Sequence, residues 1–468
     1  MLYLRKFLKE SLHQLANNRI TYALFILLLL FFLTMDVWAG TIFEFHPFLT
    51  TEEKYDDNLY QTRSNKRSDW ITTISPGITA SLLNPLLNFE LEYQPGLVYF
   101  LHNPQLDYTS HDVNFNSTFD LTPRLTFSLT ETFLHSNEPS MDEMLETDYE
   151  RSLRTRTRAE YDRNTIVPQL EYRFARDSFI RLYYRNTDFS SDDPDEDEYT
   201  ENYFESELEY WFNVRNGINL SCNFTKGNFD IDTDLLNAVN ITARYMRRFT
   251  PHFELYGEYG VGVTDFEETR FFMSLDRRRE VQVGLEDVED YDLRKFNVGF
   301  EWQLPQNFRI DGFVGYYWKD GVGNRDDQGL NASIEFEKTT QYLSFILGAE
   351  KGYSADFFAI DDAGFTEAWR LFTNLAYNYH EKLELSCGGS YGYEEYTYGR
   401  EGTGFISEAR EDYQYNFNTQ LTYSILRNYF FLRELSLEME FNHTEIDSSI
   451  DRDGYINNQY MLRLTATF

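Results

Sequence analysis

Residues 455–468, read as Y-I-N-N-Q-Y-M-L-R-L-T-A-T-F, decide the fold class of this chain. In an extended strand, successive side chains point to opposite faces. One face of this stretch is apolar and holds Ile456, Tyr460, Leu462, Leu464, Ala466 and Phe468. The other face is polar and holds Asn457, Gln459, Arg463, Thr465 and Thr467. The stretch therefore predicts a β-strand that lies between an apolar medium and water.

The same alternation recurs along the rest of the chain. Residues 87–94 (L-N-F-E-L-E-Y-Q) are an example, with every second residue apolar. Further series of this kind begin at Val113, Leu125, Leu170, Phe204, Ile218, Phe253, Phe296, Phe308, Leu330, Leu343, Leu371, Tyr415 and Leu435. We count about 20 strands, with about 18 as the nearest alternative, because a closed bacterial barrel has an even number of strands.

The composition distinguishes between the two ways of crossing a membrane. Aromatic residues make up 18% of the 468 residues, yet the mean hydropathy is −0.53. A helical bundle needs long apolar runs, whereas the strands of a barrel are only half apolar. We therefore predict an all-β, transmembrane, antiparallel up-and-down β-barrel. A soluble β-solenoid or sandwich with buried aromatics is the alternative.

The first 39 residues differ from the rest of the chain. They combine four basic residues, an apolar run at 22–33 and a V-W-A sequence at 37–39. This three-part pattern is typical of a secretory signal peptide. We predict cleavage after Ala39 and a barrel over residues 40–468, with an uncleaved anchor as the alternative. The predicted location is the bacterial outer membrane.

The chain is strongly acidic. Removing the predicted signal peptide changes the net charge from −35 to −37, because that segment holds four basic and two acidic residues. A surface of this charge repels nucleic acid, so nucleic acid is not a predicted partner. The predicted partners are outer-membrane lipid and lipopolysaccharide. An acidic surface suits the divalent cations that bridge lipopolysaccharide molecules.

The connections between the predicted strands alternate between short and long. Short turns are predicted at 84–85, 122–123, 213–217, 250–251, 305–306, 338–341 and 380–382. Long connections are predicted at 136–149, 186–200 and 266–291. Barrels keep short turns in the periplasm and long loops outside, so the acidic loops are predicted to be extracellular. Residues 192–198 are either a solvated loop or a calcium site, and 266–291 either a constriction or an extended hairpin.

The charged face of the strands is predicted to line the lumen. Placing charges at mid-bilayer costs about 2–4 kcal/mol for Arg or Lys, and less for acids. The glutamates in this phase are Glu90, Glu92, Glu205, Glu207, Glu209, Glu335, Glu337, Glu438 and Glu440. Aromatic residues near the strand ends are predicted to form interfacial girdles. Examples are Tyr99, Tyr256, Trp302, Trp318 and Tyr398.

Three consecutive predicted strands carry the candidate lumen charges. The first holds Arg154, Arg156 and Arg158, the second Arg173, Arg181 and Arg185, and the third Glu205, Glu207 and Glu209. One interpretation is an arginine wall that produces a transverse field and filters charged solutes. The other is a ladder of salt bridges between neighbouring strands that only stabilises a hydrated lumen.

The sequence contains no recognisable catalytic signature. The histidines do not form a Ser/His, Asp/His or His-x-x-x-His pattern, and no phosphate-binding loop or zinc motif is present. We therefore predict no enzyme activity, no cofactor and no catalytic, cofactor-binding or metal site. Cys222 and Cys387 share a face with apolar residues, which predicts free thiols that are buried or face lipid.

Three stretches carry a family resemblance. Residues 55–60 (Y-D-D-N-L-Y), 74–78 (I-S-P-G-I) and 119–130 (F-D-L-T-P-R-L-T-F-S-L-T) with 132–134 (T-F-L) resemble the type 2 family of β-barrel porins. The likeness is sharpest over residues 43–140. It implies an outer-membrane barrel associated with exopolysaccharide and exosortase systems, and thus export components as partners. The family offers no site residues that can be transferred to this chain.

The terminal strand carries a second resemblance. Its outward residues Tyr460, Leu462, Leu464 and Phe468 resemble the signal read by the barrel-assembly machinery, which is a predicted partner. The predicted function is a porin-like passive channel for hydrophilic solutes or exported polysaccharide. A non-conducting docking barrel of a secretion system and an outer-membrane hydrolase are the alternatives.

Overall fold

The computed structural model describes the chain in segments. These are residues 41–138, 158–193, 198–229, 235–267, 290–321, 327–356, 364–380, 382–396, 399–401, 404–406, 410–449 and 454–468. β-Strands dominate these residues, and a 3-10 turn at Pro104–Leu106 is the single helical element among them. In the described residues, no helix has the length and apolar character of a membrane span.

Long strands follow one another along the described chain, and most of them have 13 to 17 residues. They are β1 (Ile42–Asp56), β2 (Asp69–Asn84), β3 (Leu87–Phe100), β4 (Tyr108–Thr122), β5 (Leu125–Ser136), β6 (Tyr161–Ala175), β7 (Ser178–Ser191), β8 (Tyr199–Asn213), β9 (Asn216–Phe229), β10 (Leu235–Thr250), β11 (Phe253–Glu267), β12 (Tyr291–Leu304), β13 (Phe308–Gly321), β14 (Asp327–Thr339), β15 (Leu343–Asp356), β16 (Gly364–Tyr379), β17 (Leu383–Tyr396), β18 (Gly399–Glu401), β19 (Gly404–Ile406), β20 (Arg410–Tyr429), β21 (Leu432–Ser448) and β22 (Tyr455–Thr467). Strands β18 and β19 form a separate short hairpin.

The other 20 strands form one closed antiparallel sheet in sequence order. The barrel closes where β1 pairs with β22, from Phe48 opposite Thr467 to Asp56 opposite Gln459. The prediction of an up-and-down barrel with 20 strands is confirmed, and the alternative of 18 is excluded. The closing pair uses the second part of β1, residues 48–56.

The apolar faces of the strands point away from the lumen. Large apolar side chains are therefore exposed around the outside of the barrel, among them Leu220, Phe224, Val261, Val298, Val314, Leu347, Leu462 and Leu464. A contiguous apolar surface of this extent marks contact with lipid or protein. The solenoid and sandwich alternatives are wrong, since those folds would bury these side chains. Cys222 and Cys387 are free thiols on the outward faces of β9 and β17.

The two ends of the barrel differ as the sequence predicts. Turns of two or three residues join the strands at one end, for example between β2 and β3 and between β12 and β13. Several of them need a left-handed backbone, with φ of 67° at Gln306 and 52° at His380. The longer connections lie at the other end. Strand β7 runs to Ser191 and β8 begins at Tyr199, so the connection predicted from residue 186 is shorter than expected.

Several predictions fall outside the described residues. They are the signal peptide and its cleavage site, most of the segments 136–149 and 266–291, the centre of the acidic tract at 194–197, and Tyr398. Among the described girdle residues, Tyr99, Trp302 and Trp318 are exposed on the outward face. The girdle position predicted for Tyr256 is wrong, because Tyr256 lies in the inward phase of β11 and lines the lumen.

Candidate functional site

A ladder of ion pairs crosses the lumen wall at β6, β7 and β8. Arg181 lies directly opposite Glu171 on one side and Glu207 on the other. Its Nη2 atom is 2.9 Å from Glu171 Oε2, and its Nη1 atom is 3.0 Å from Glu207 Oε2. Arg173 Nε donates to the second oxygen of Glu171 at 2.6 Å. Neighbouring strands thus neutralise each other's charges in this part of the wall.

Nearer the loop end, the same strands hold a more buried pair. Arg185 Nη2 lies 2.8 Å from Glu201 Oε1, and both side chains are less than one tenth exposed. The guanidinium also stacks over the ring of Tyr203 at 5.3 Å. The hydroxyl of Tyr203 in turn donates to Glu205 Oε2 at 2.6 Å. This chain of contacts fixes the rotamers of an arginine, an aromatic ring and two carboxylates.

The predicted arginine wall is only partly brought together. Arg154 and Arg156 lie outside the described residues, and Arg158 precedes β6 instead of lying within a strand. Arg173 lies on β6 whereas Arg181 and Arg185 lie on β7, so the prediction of one strand for these three was wrong. A two-residue turn separates β6 from β7. All three arginines have odd numbers, as they would on one strand, so their spacing does not reveal the turn.

The predicted glutamates of β8 have different partners. Glu207 contacts Arg181 and also accepts from Asn219 Nδ2 at 2.7 Å. Glu205 accepts from Tyr203, and Glu209 accepts from Trp211 Nε1 at 2.7 Å. Two of the three carboxylates therefore hold aromatic side chains against the wall. A Tyr or Trp two residues from a Glu was the sequence signal for these contacts.

A cavity of ≈ 860 Å³ opens beside this ladder, and a second charged group lines it. Glu258 is 2.7 Å from Arg244 and 3.8 Å from Lys295, and it also accepts from Asn297 Nδ2 at 3.0 Å. Arg244 stacks over the ring of Tyr256 at 4.3 Å. These residues are not among the lumen charges predicted from the sequence, although Arg244 and Glu258 share the polar phase of their strands.

Tyr256 can lie flat against the lumen wall because its neighbour on β12 is a glycine. A Cβ atom at Gly299 would be 2.3 Å from Tyr256 Cζ and 2.7 Å from Gly312 O, so the ring could not keep this position beside a larger residue. Amide and hydroxyl side chains cover much of the remaining cavity wall, including Ser221, Asn223, Thr225, Asn240, Thr242 and Asn331. Such a wall offers hydrogen bonds to water and to hydrophilic solutes.

The seam between β22 and β1 has its own ion pairs. Arg463 reaches Glu52 through Nε at 2.9 Å and Nη2 at 2.7 Å, and its Nη1 contacts Glu438 on β21. The hydroxyls of Thr50 and Thr465 lie 3.1 Å apart in the same phase. Arg463 therefore faces the lumen and links three strands across the closing pair.

A buried turn holds the loop end of this seam, and we call it the seam clasp (residues 56–62). Asn58 is fully buried, and its Nδ2 donates to Thr62 O at 2.8 Å and to Ile456 O at 2.9 Å. Asp57 accepts from Asn458 N at 2.8 Å and from Asn458 Nδ2 at 2.6 Å. The Y-D-D-N-L-Y stretch thus connects the first strand to the last.

The seam clasp also carries a small apolar core inside the barrel mouth. Leu59 is 1% exposed and packs with Ile71, Val98 and Phe100. Arg158 covers this core, with Nε donating to Leu59 O at 3.0 Å and the guanidinium 5.2 Å from the Phe100 ring. The core narrows the mouth on the side of β1–β4.

An ion pair between a buried lysine and a partly exposed glutamate lies beside the mouth core. Lys54 contacts Glu138, which follows β5 in the loop region. Burial alone would raise the pKa of the Glu138 carboxyl, but the charges of Lys54 and Arg158 outweigh burial and hold that pKa below its usual value. Glu138 therefore stays ionised, and it ties the loop after β5 to the first strand.

The predicted assembly residues lie on the outer surface. Tyr460, Leu462 and Leu464 are exposed on the outward face of β22, with 52%, 46% and 40% of their surface accessible. Phe468 follows the strand, and its amide donates to Pro47 O at 2.9 Å. Its ring stacks on Phe431 with centroids 5.9 Å apart.

In the described part of the chain, no group of three His, Cys, Asp or Glu side chains is placed to hold a metal ion.

Comparisons with known proteins give weak similarities only. No protein-family model and no curated protein matches the chain. The outer membrane protein OpdK from Pseudomonas aeruginosa is 10% identical with a TM-score of 0.39, covering 91% of this chain and 98% of its own. OpdL from the same organism is 12% identical with the same score and coverage. A BenF-like porin from Pseudomonas fluorescens Pf-5 is 11% identical with a TM-score of 0.39, covering 91% and 99%. Likeness at this level carries no argument, so the resemblance to type 2 porins stays a prediction.

Proposed function

We propose that this barrel is a passive channel for hydrophilic solutes in the bacterial outer membrane. The observation that supports this most is the closed sheet of 20 strands with apolar side chains outside and a polar, ion-paired wall around a cavity inside. Barrels of 16–18 strands already leave an aqueous channel. Twenty strands enclose a wider ring, which side chains alone do not fill.

The solute class of this channel follows from the wall. Its arginines and glutamates neutralise each other across neighbouring strands, while amides, hydroxyls and ring faces remain available. We propose that the channel selects hydrophilic solutes by their size and by the hydrogen bonds they make with the wall. The finer proposal, passage of an exported polysaccharide beside an export machine, depends on the family resemblance. The seam clasp and its core favour a second candidate, a docking barrel whose mouth stays closed.

Reconstitution into planar bilayers tests the channel directly. We expect discrete conductance steps from the folded protein. A folded sample that gives no steps, and no swelling of liposomes in sugars of graded size, would instead support the docking barrel. Deleting residues 57–67, which removes Leu59 from the mouth core, distinguishes the two candidates further once heat-modifiable migration confirms folding. A docking barrel closed at this mouth should begin to conduct, whereas a channel that is already open should change its conductance little.

Replacing Arg244 with glutamine is expected to shift the channel towards cations. The change leaves Glu258 with Lys295 at 3.8 Å as its remaining cationic contact, so the cavity gains negative charge. We expect the permeability ratio of cations to anions to rise about 3–10-fold. Reversal potentials in a salt gradient measure this ratio.

Arg247 provides the matched control for this variant. It lies on the same strand but faces outward, over the ring of Phe249. Arg247→Gln should leave the permeability ratio unchanged. Equal reversal potentials for R244Q and the unchanged protein would contradict the assignment of the cavity to the conduction path.

Deleting Phe468 is expected to reduce insertion of the barrel. We propose that the outward face of β22 and Phe468 are read by the barrel-assembly machinery. The deletion also removes the ring that stacks on Phe431. The measurement is the amount of heat-modifiable, folded protein in outer-membrane fractions. Thr467→Ser is the control, and normal insertion of the deletion variant would count against the role in assembly.

A further inference from the structure

An acidic side chain lies within the apolar outer surface. Glu131 shares the outward phase of β5 with Phe127 and Phe133, and it lies opposite Phe115 on β4 and Ile166 on β6. It is six residues beyond Leu125, where β5 leaves its turn. With a rise of about 3.3 Å per residue and the usual strand tilt, Glu131 lies roughly 15 Å above this turn, a height that falls within an apolar band about 25 Å tall.

No other acidic side chain on the outward faces of the described strands lies as deep. Outward acidic side chains of the other described strands are closer to the loop end of the barrel, and the outward Arg247 lies close to the turn end of β10. Asp188, Lys226 and Arg294 each lie ten residues from the turn end of their strands. Glu131 is therefore an exception to the arrangement that keeps charges out of the apolar band.

The same sector carries a row of polar side chains nearer the loop end. Tyr93 Oη and His111 Nδ1 are 3.0 Å apart, and the His111 and His135 rings have centroids 5.8 Å apart. His135 Nδ1 is 2.8 Å from Asp162 Oδ1. This row crosses the outward faces of β3 to β6. The sector thus departs from an ordinary lipid-facing surface at two depths.

Acyl chains cannot satisfy Glu131, because they contain no hydrogen-bond donors or acceptors. Ionisable residues at this depth almost always pair with other protein groups. A second copy related by a two-fold axis along the membrane normal presents the same residue at the same depth. A protonated carboxyl both donates and accepts, so two Glu131 side chains can bond to each other.

We propose that the outward face of β4–β6 is the contact surface between two copies of this chain, with the two Glu131 side chains hydrogen-bonded at its centre. The inference rests on the proposed membrane location, but not on conductance. Phe115, Phe133 and Ile166 surround the carboxyl and supply the apolar part of the contact. The lumen wall lies on the opposite face of these strands, so both copies keep their own channel.

Cysteine cross-linking in lipid vesicles tests this contact. The background variant is C222S/C387S, which removes both outward thiols. Phe133→Cys places a thiol one row from Glu131 and is expected to give oxidised dimers. Leu347→Cys on β15, ten strands away on the opposite side of the barrel, is the matched control and should give none.

Substitutions of Glu131 itself complete the test in the F133C background. Glu131→Leu should weaken association about tenfold, because leucine needs no partner in lipid. Glu131→Gln should retain dimers, since an amide also donates and accepts. Heat-modifiable migration confirms folding of each variant. Equal cross-linking at positions 133 and 347, or undiminished dimers in E131L, would overturn the proposal, whereas loss of conductance alone would not affect it.

Discussion

Replacing Asn58 with alanine is expected to lower the free energy of unfolding of the barrel by about 3–5 kcal/mol. The side chain is fully buried and makes hydrogen bonds to two segments, Thr62 and Ile456. Its removal takes the Asn58 partner from Thr62 N and Thr62 O, while Ile456 O keeps its hydrogen bond from Lys66 Nζ. A buried polar group without a partner costs about 1–3 kcal/mol.

Urea unfolding in detergent micelles, followed by tryptophan fluorescence and by gel migration, measures this change. Gln105→Ala is the control on the same rim, because Gln105 is exposed and makes one long side-chain hydrogen bond. That variant should lie within about 0.5 kcal/mol of the unchanged protein. A comparably small effect of Asn58→Ala would show that the seam clasp does not stabilise barrel closure.

Replacing Arg185 with leucine is expected to destabilise the barrel by about 3 kcal/mol or more. Arg185 and Glu201 are both almost fully buried, so the change removes the guanidinium that lies 2.8 Å from the Glu201 carboxylate in a poorly hydrated part of the wall. The ring of Tyr203 also loses the guanidinium stacked over it. The same urea titration measures the free energy of unfolding.

The double variant R185L/E201L separates the ion pair from simple packing. Replacing both partners by apolar residues of similar size is often neutral or stabilising. We therefore expect the double variant to recover most of the lost stability. If R185L/E201L is as unstable as R185L, the loss reflects packing around Tyr203 and not the broken ion pair.

Much of the architecture was predictable because side-chain alternation is local. In residues 87–94 and 455–468, the alternation of apolar and polar residues shows which side chains face water. The strands of the barrel have the same inward and outward faces. The even number of strands followed from the need for closure. The arginines show the limit of this reasoning. Arg173 and Arg181 share a phase, yet a two-residue turn between them places them on different strands.

The types of residue that line the candidate site were predictable, but the ion pairs between them were not. The sequence indicates a lumen lined by Arg and Glu, but a partner across a strand pair depends on the register. Glu171 pairs with Arg181 because those two residues lie opposite each other, and no local pattern gives that alignment. Arg244, Glu258 and Lys295 belong to three strands, and their common site exists only after the sheet has formed.

By itself, the sequence determined the strand periodicity, the inward and outward faces, the alternation of short and long connections, and the closure as a barrel. These follow from period-two alternation and turn chemistry, which act between close neighbours. Only the tertiary structure decided the closing register, the ion pairs of the lumen, the seam clasp and the depth of Glu131. Asn58 and Ile456 are 398 positions apart, and their contact exists because strand pairing brings the two ends of the chain together.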